Sequence, residues 1–216
     1  MTSVSGTHIQ DNFITEKWWQ GLLLLSGFSA IIYQMTWQRI LFTTMGETLF
    51  SRTSVVCIFL VGLALGSFLG GELSHRFPDK LPKVFFILQV ILGSYGLVSY
   101  PLVRSIGTAL ASVSNSALPF LLFFLLMVPT LCFGALLPLL VRYIHQRKGD
   151  VGGVLSRLHG FFIFGMALGT VLLIFILYFL FNCAIAIFFA TSLNAFAAYL
   201  IYLKMNNKLF FGRRLS

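Results

Sequence analysis

Apolar residues in this chain fall into six long runs, each parted from the next by a short polar stretch. The runs cover residues 18–37, 53–73, 84–103, 118–141, 158–181 and 184–203. Each reaches the roughly 20 residues that a helix rising about 1.5 Å per residue needs to cross the hydrocarbon core of a bilayer. They predict an all-α, polytopic bundle of six transmembrane helices. Residues 1–17 form a polar leading segment, 18–204 the membrane domain and 205–216 a basic tail. The leading segment carries Asp11, Glu16 and Lys17, and neither a basic start nor a small-residue cleavage site accompanies the first run, so no signal peptide is expected.

Composition points the same way: 58% of residues are hydrophobic and 10% charged, where soluble domains carry about 25% charged residues. The three cysteines, Cys57, Cys132 and Cys183, lie in or beside apolar runs without paired spacing. They read as small packing residues, not as a disulfide framework or a metal site.

Charge sets an expected orientation. Twelve of the fifteen Lys and Arg fall in the leading segment, the 74–83 and 142–157 connections and the tail, against Arg39, Arg52 and Arg104 on the other side. By the positive-inside rule both termini are expected in the cytoplasm. The formal charge of +9 is then accounted for by topology and anionic headgroups, and nucleic acid is not an expected partner.

Glycine placement adds a packing device. Gly62, Gly66 and Gly70 recur every four residues, so on a helix they form one smooth stripe. Each costs a helix interior roughly 0.8–1 kcal/mol relative to Ala, a cost offset in lipid when a second backbone packs closely against the stripe. A related pattern, Gly165-Met-Ala-Leu-Gly169-Thr170, lies 103 residues beyond Gly62-Leu-Ala-Leu-Gly66-Ser67, and Phe133-Gly134 follows Phe28-Ser29 at an offset of 105. Two related halves of three helices each are expected. An odd number makes the second half inverted, as in many secondary transporters. The connection Gly71-Glu-Leu-Ser-His75-Arg76-Phe-Pro-Asp79-Lys80 also resembles the loop between the second and third helices of major facilitator transporters, with His75 where that family has an acid.

Three further stretches carry a more specific resemblance: Ser26 to Arg39 (SGFSAIIYQMTWQR), Gly62 to Gly71 (GLALGSFLGG) and Pro129 to Arg142 (PTLCFGALLPLLVR). In order and spacing they resemble the membrane domain of bacterial spermidine-synthase-like (polyamine aminopropyltransferase-like) integral membrane proteins. The resemblance implies an inner-membrane location. It also implies, in relatives, a following soluble domain that would bind an S-adenosylmethionine-type cofactor. No such domain is expected in these 216 residues, and no cofactor with it. The fifth run departs from the family too. Leu158-His159-Gly160-Phe161-Phe162-Ile163-Phe164-Gly165 stands where the family tends to read Leu-Tyr-Gly-x-Asn-Thr-x-Gly, which removes an intramembrane polar pair.

Candidate ligand-facing or helix-bridging residues follow from polarity inside apolar runs. Tyr33 and Gln34 must find hydrogen-bond partners in hydrocarbon, from a ligand or a neighbouring helix. Trp37, Gln38 and Arg39 are placed at the outer end of the first span, as interface anchors with Arg39 in reach of Glu47. Pro138, with Gly134, is expected to kink the fourth span, which ends at the basic Arg142. His159 near the start of the fifth span reads as an interfacial hydrogen-bonder, and Glu72 is expected to pair with Arg76 one turn on or to face a cavity. Gly62, Gly66, Gly70, Gly134, Gly165 and Gly169 are the expected packing residues. No nucleophile with a base, metal-ligand cluster or phosphate loop is seen, so catalysis by this chain alone is not expected. Two roles remain: an anchor or substrate-supplying module for a separately made partner, or a half-sized small-solute transporter acting as a homodimer. A third expectation is the front end of a disrupted longer protein of the same family.

Overall fold

The structure is a computed structural model. It describes the backbone of residues 4–45, 49–112, 117–148, 151–180 and 182–212, and the side chains of 17–43, 53, 55–109, 123–146, 151–175 and 182–206. The described residues form six helices and no strand: α1 (Val4–Met45), α2 (Leu49–Arg76), α3 (Leu81–Ser112), α4 (Ala117–Lys148), α5 (Val151–Leu180) and α6 (Cys183–Gly212). A single 3-10 turn, Pro78–Lys80, joins α2 to α3. It is held by Phe77 N–H donating to the Leu73 carbonyl at 3.0 Å and Lys80 N–H donating to the Phe77 carbonyl at 3.1 Å.

Every helix outruns the apolar stretch that signals it. Hydropathy reports only the part that lipid would solvate, whereas backbone pairing continues until a turn or a glycine stops it. Among the described residues five segments are long and apolar enough to cross a membrane: Val55–Arg76, Pro78–Ala109, Phe123–Gln146, Val151–Phe175 and Cys183–Asn206. The first run, expected as a span, is not one of them. Its helix α1 carries Gln20, Ser26, Ser29, Tyr33, Gln34, Thr36, Gln38 and Arg39, and it packs against all five other helices. Protein, more than lipid, surrounds it, so polar groups there are solvated by neighbouring helices.

The outer surface is apolar. Phe68, Phe124, Ile174, Phe175 and Phe188 are exposed, an arrangement consistent with a multi-pass membrane protein. Inside, packing is dominated by three pairs: α2 with α4, α1 with α5 and α3 with α6. In the first two pairs the residue numbers rise together, so the helices run parallel. Gly62 meets Thr130, Gly66 meets Leu131 and Gly70 meets Ala135, while Gly165 meets Leu24 and Gly169 meets Phe28. A Cβ at Gly66 would collide with the Leu131 backbone, and one at Gly70 would come within 2.6 Å of the Ala135 Cα. Gly134 returns the contact from α4, lying against Leu63 and Gly66. Ser67 Oγ adds a bond across the same seam to the Gly134 carbonyl at 3.2 Å. These are close backbone approaches of the kind that hold helices together where the surroundings are as apolar as the helices.

Several expectations are corrected at this level. Glu72 and Arg76 form no ion pair; both are exposed, and the Arg76 guanidinium lies 5.9 Å from the Phe77 ring centroid instead. At a water-exposed helix end such a pair gains little, and the adjacent ring offers an alternative. Trp37 is not an interface anchor: α1 continues to Met45, which leaves the indole buried at 1% exposure. Trp19 is likewise buried, edge-on to Phe85 and Tyr143. Lys204 Nζ lies over both indoles, 3.9 Å from the Trp18 ring centroid and 5.4 Å from that of Trp19. The proline expected to kink α4 does not end it: the helix continues past Pro129 and Pro138, and the Pro138 ring packs beside Gly70.

Candidate functional site

Midway along the bundle, α1, α3 and α6 bring polar side chains together in an otherwise apolar core. Ser26, Ser29 and Tyr33 recur at the three- and four-residue steps that place side chains on one helical face, and that face of α1 looks onto α3 and α6. Gln89 enters from α3, and Thr191 and Asn194 enter from α6. All six are buried.

The groups bond chiefly to one another and to nearby carbonyls. Gln89 Nε2 donates to Ser26 Oγ at 2.6 Å, and Ser26 Oγ donates to the Leu22 carbonyl at 2.9 Å. Ser29 Oγ lies 2.9 Å from Asn194 Oδ1 and 3.0 Å from the Ser26 carbonyl, so its single proton is shared between two acceptors. Asn194 Nδ2 donates to the Ala190 carbonyl at 3.1 Å. Tyr33 and Thr191 exchange a hydroxyl bond at 2.9 Å, and Tyr33 can donate onward to the Leu92 carbonyl at 3.3 Å. Gly96 makes room for that hydroxyl pair, because a Cβ there would collide with both oxygens. The Tyr33 ring stacks on Trp37 with centroids 5.2 Å apart and planes at 22°, and Tyr95 meets Trp37 edge-on while its hydroxyl bonds the Leu125 carbonyl at 2.7 Å.

Four buried polar atoms in and around this core have no hydrogen-bond partner: Gln89 Oε1, Thr36 Oγ1, Trp37 Nε1 and Trp19 Nε1. The cluster itself holds hydroxyls and amides but no charged side chain. It can fix the register of three helices and exchange hydrogen bonds with a neutral group.

Of the residues singled out from sequence, only Tyr33 belongs to the cluster, with Trp37 stacked behind it. Gln34, one position on, points away from this face; it is half-buried and makes no hydrogen bond to the protein among the described residues. Gln38 and Arg39 have partners of their own, and Arg39 lies within electrostatic reach of Cys183 on α6. Its expected partner Glu47 lies outside the described residues. His159 is exposed on α5, and Arg142 lines a cavity at the opposite end of the bundle from Arg39. Sequence reasoning missed Ser26, Ser29, Gln89, Thr191 and Asn194. The available signal was that Gln89 and Asn194 are lone amides within apolar runs, which in a membrane helix marks an inward-facing position.

No family model, curated protein or solved structure matches this chain.

Proposed function

We propose that this protein is a membrane-embedded anchoring module. It would be a counterpart of the membrane domain of spermidine-synthase-like proteins, holding or supplying a partner at its basic, cytoplasmic end. One observation carries this reading: the midspan polar cluster is buried and bonded mostly within itself, with Gln89 Oε1 its one unpaired atom, as expected of a rigid scaffold and not of a path for solute. The basic connections at residues 74–83 and 142–157 favour an acidic partner surface or lipid phosphates. In this reading α1 crosses the membrane as a sixth, protein-sheathed span and both termini are cytoplasmic. Reporter fusions at Asn12 and Asn207 should then read inside, and a fusion at Gly107 outside.

The deciding experiment is water accessibility at midspan. With the native cysteines replaced, Thr191→Cys should resist a membrane-impermeant thiol reagent. Photo-crosslinking from the exposed Gln146 in native membranes should give one discrete adduct. The purified chain should not transfer an aminopropyl group to putrescine.

The transporter reading keeps one supporting observation. Exchanging α1 with α4, α2 with α5 and α3 with α6 turns the α1/α5 pair into the α2/α4 pair and returns α3/α6 to itself. An inverted repeat of three plus three helices would pack in this way. Labelling of Thr191→Cys, together with solute uptake into proteoliposomes that Asn194→Leu abolishes, would replace the anchor by a homodimeric transporter.

A further inference from the structure

A cavity of about 460 Å³ opens at the basic end of the bundle between α2, α4 and α5. His75 enters it from α2, and Arg142 and His145 enter from α4. Arg142 Nε and His145 Nδ1 are buried there without a hydrogen-bond partner. Both side chains are half-buried, so a guanidinium and an imidazole border the cavity with part of their polar groups withdrawn from water, and an anion there would offset that concentration of positive potential. No carboxylate is among the described residues that line it. Helix α5 begins at Val151 in the same wall, so the positive end of its peptide dipoles adds to the same sign of potential.

We propose that this cavity binds the phosphate of an anionic glycerophospholipid. The paired oxygens of a phosphate match the planar fork of an Arg better than a monatomic ion does. The rest of the wall is suited to the glycerol and upper acyl chain: Leu137 and Val141 from α4 and Leu155 from α5. Val151 and Leu155 are also exposed, which joins the cavity to the apolar outer surface. The site lies at the ends of the apolar segments Val55–Arg76, Phe123–Gln146 and Val151–Phe175, the depth at which headgroups sit. This proposal rests on the bundle lying in a membrane and is independent of the anchoring role.

Native mass spectrometry of the full chain, titrated with phosphatidylglycerol or phosphatidylcholine, tests it. One phosphatidylglycerol should be retained per chain, with about a tenfold preference over phosphatidylcholine, which carries the same phosphodiester but would bring its choline cation against the basic wall. Arg142→Gln should weaken retention about tenfold, Arg142→Lys less, and His145→Gln and His75→Gln by smaller factors. Arg104→Gln, which removes the same charge at the other end of the bundle, should change nothing. Equal retention of both lipids overturns the proposal. So does wild-type retention by folded Arg142→Gln or, should that variant not fold, by the His75→Gln/His145→Gln double variant. Displacement of the lipid by millimolar inorganic phosphate, or equal binding of soluble glycerol phosphate, would reassign the site to a soluble phosphate and refute the lipid.

Discussion

The α2/α4 seam and the α1/α3/α6 cluster hold the same bundle by opposite means. Along α2/α4 the missing side chains of Gly66, Gly70 and Gly134 let backbones touch, Gly62 makes room for the Thr130 side chain, and shape supplies the attraction. In the α1/α3/α6 cluster the side chains are present and polar, and hydrogen bonds among Ser26, Ser29, Tyr33, Gln89, Thr191 and Asn194 supply register. At Gly66 and Gly134 the seam has no tolerance for an added atom, because the colliding group is backbone. The polar cluster tolerates loss of a single bond better, because its members sit beside carbonyls of their own helices that can serve as substitute partners.

Substitutions should therefore divide by seam. The largest effect is expected for Gly66→Leu, where a whole side chain meets the Leu131 backbone. Overpacking a filled interior costs roughly 1–3 kcal/mol and sometimes more, so folded yield and detergent melting temperature should both fall sharply. Gly70→Ala should follow, near the lower end of that range, read by the same melting assay. Wild-type behaviour of both variants would mean that the seam does not hold α2 to α4.

Breaking the polar cluster should cost less. Asn194→Leu removes the Ser29 bond and adds a branched side chain, and Gln89→Leu removes the Ser26 bond. Single hydrogen bonds between membrane helices are worth about 0.6 kcal/mol on average and up to about 1.7 kcal/mol, so each should lower the melting point modestly. A double-mutant cycle of Ser29→Ala with Asn194→Ala should return a coupling within that range. Independent, additive effects would show that the bond at 2.9 Å is geometry without energy. Tyr33→Phe should cost less again, since Thr191 can turn to a carbonyl of its own helix. The smallest effect belongs to Gly71→Ala. Its neighbour Gly70 is sealed against α4, but a Cβ at Gly71 meets nothing within 4 Å. A large loss at Gly71 would contradict the direction in which the stripe faces.

The two regions also differed in how far the chain announced them. Glycines four apart are a local, periodic signal, and the stripe on Gly62, Gly66 and Gly70 can be read without knowing which helix covers it. The polar cluster depends on three helices distant in sequence. Ser26 and Ser29 look like ordinary small residues until Gln89 and Asn194 are placed beside them. Tyr33 and Gln34 were equally polar candidates, and only the rotation of α1 relative to α3 and α6 separates the buried tyrosine from the half-buried amide. Trp37 and Arg39 were assigned to the membrane interface because apolar content falls there. The helix nonetheless continues to Met45, carried past the hydropathy boundary by its contacts with every other helix.

The two parallel pairs have a consequence for how the molecule is made. Parallel helices cannot be joined by a short hairpin, so α1 meets its main partner α5 only after α2, α3 and α4 have been synthesised, and α2 must wait for α4. Helix α1, the one most in need of protein neighbours for its polar face, is thus the first produced and among the last to be enclosed. Assembly of this kind depends on contacts far apart in the chain, which are slow to form. During that interval the insertion machinery, or a chaperone beside it, would have to shelter Ser26, Ser29 and Tyr33 from the lipid that the finished bundle keeps away from them.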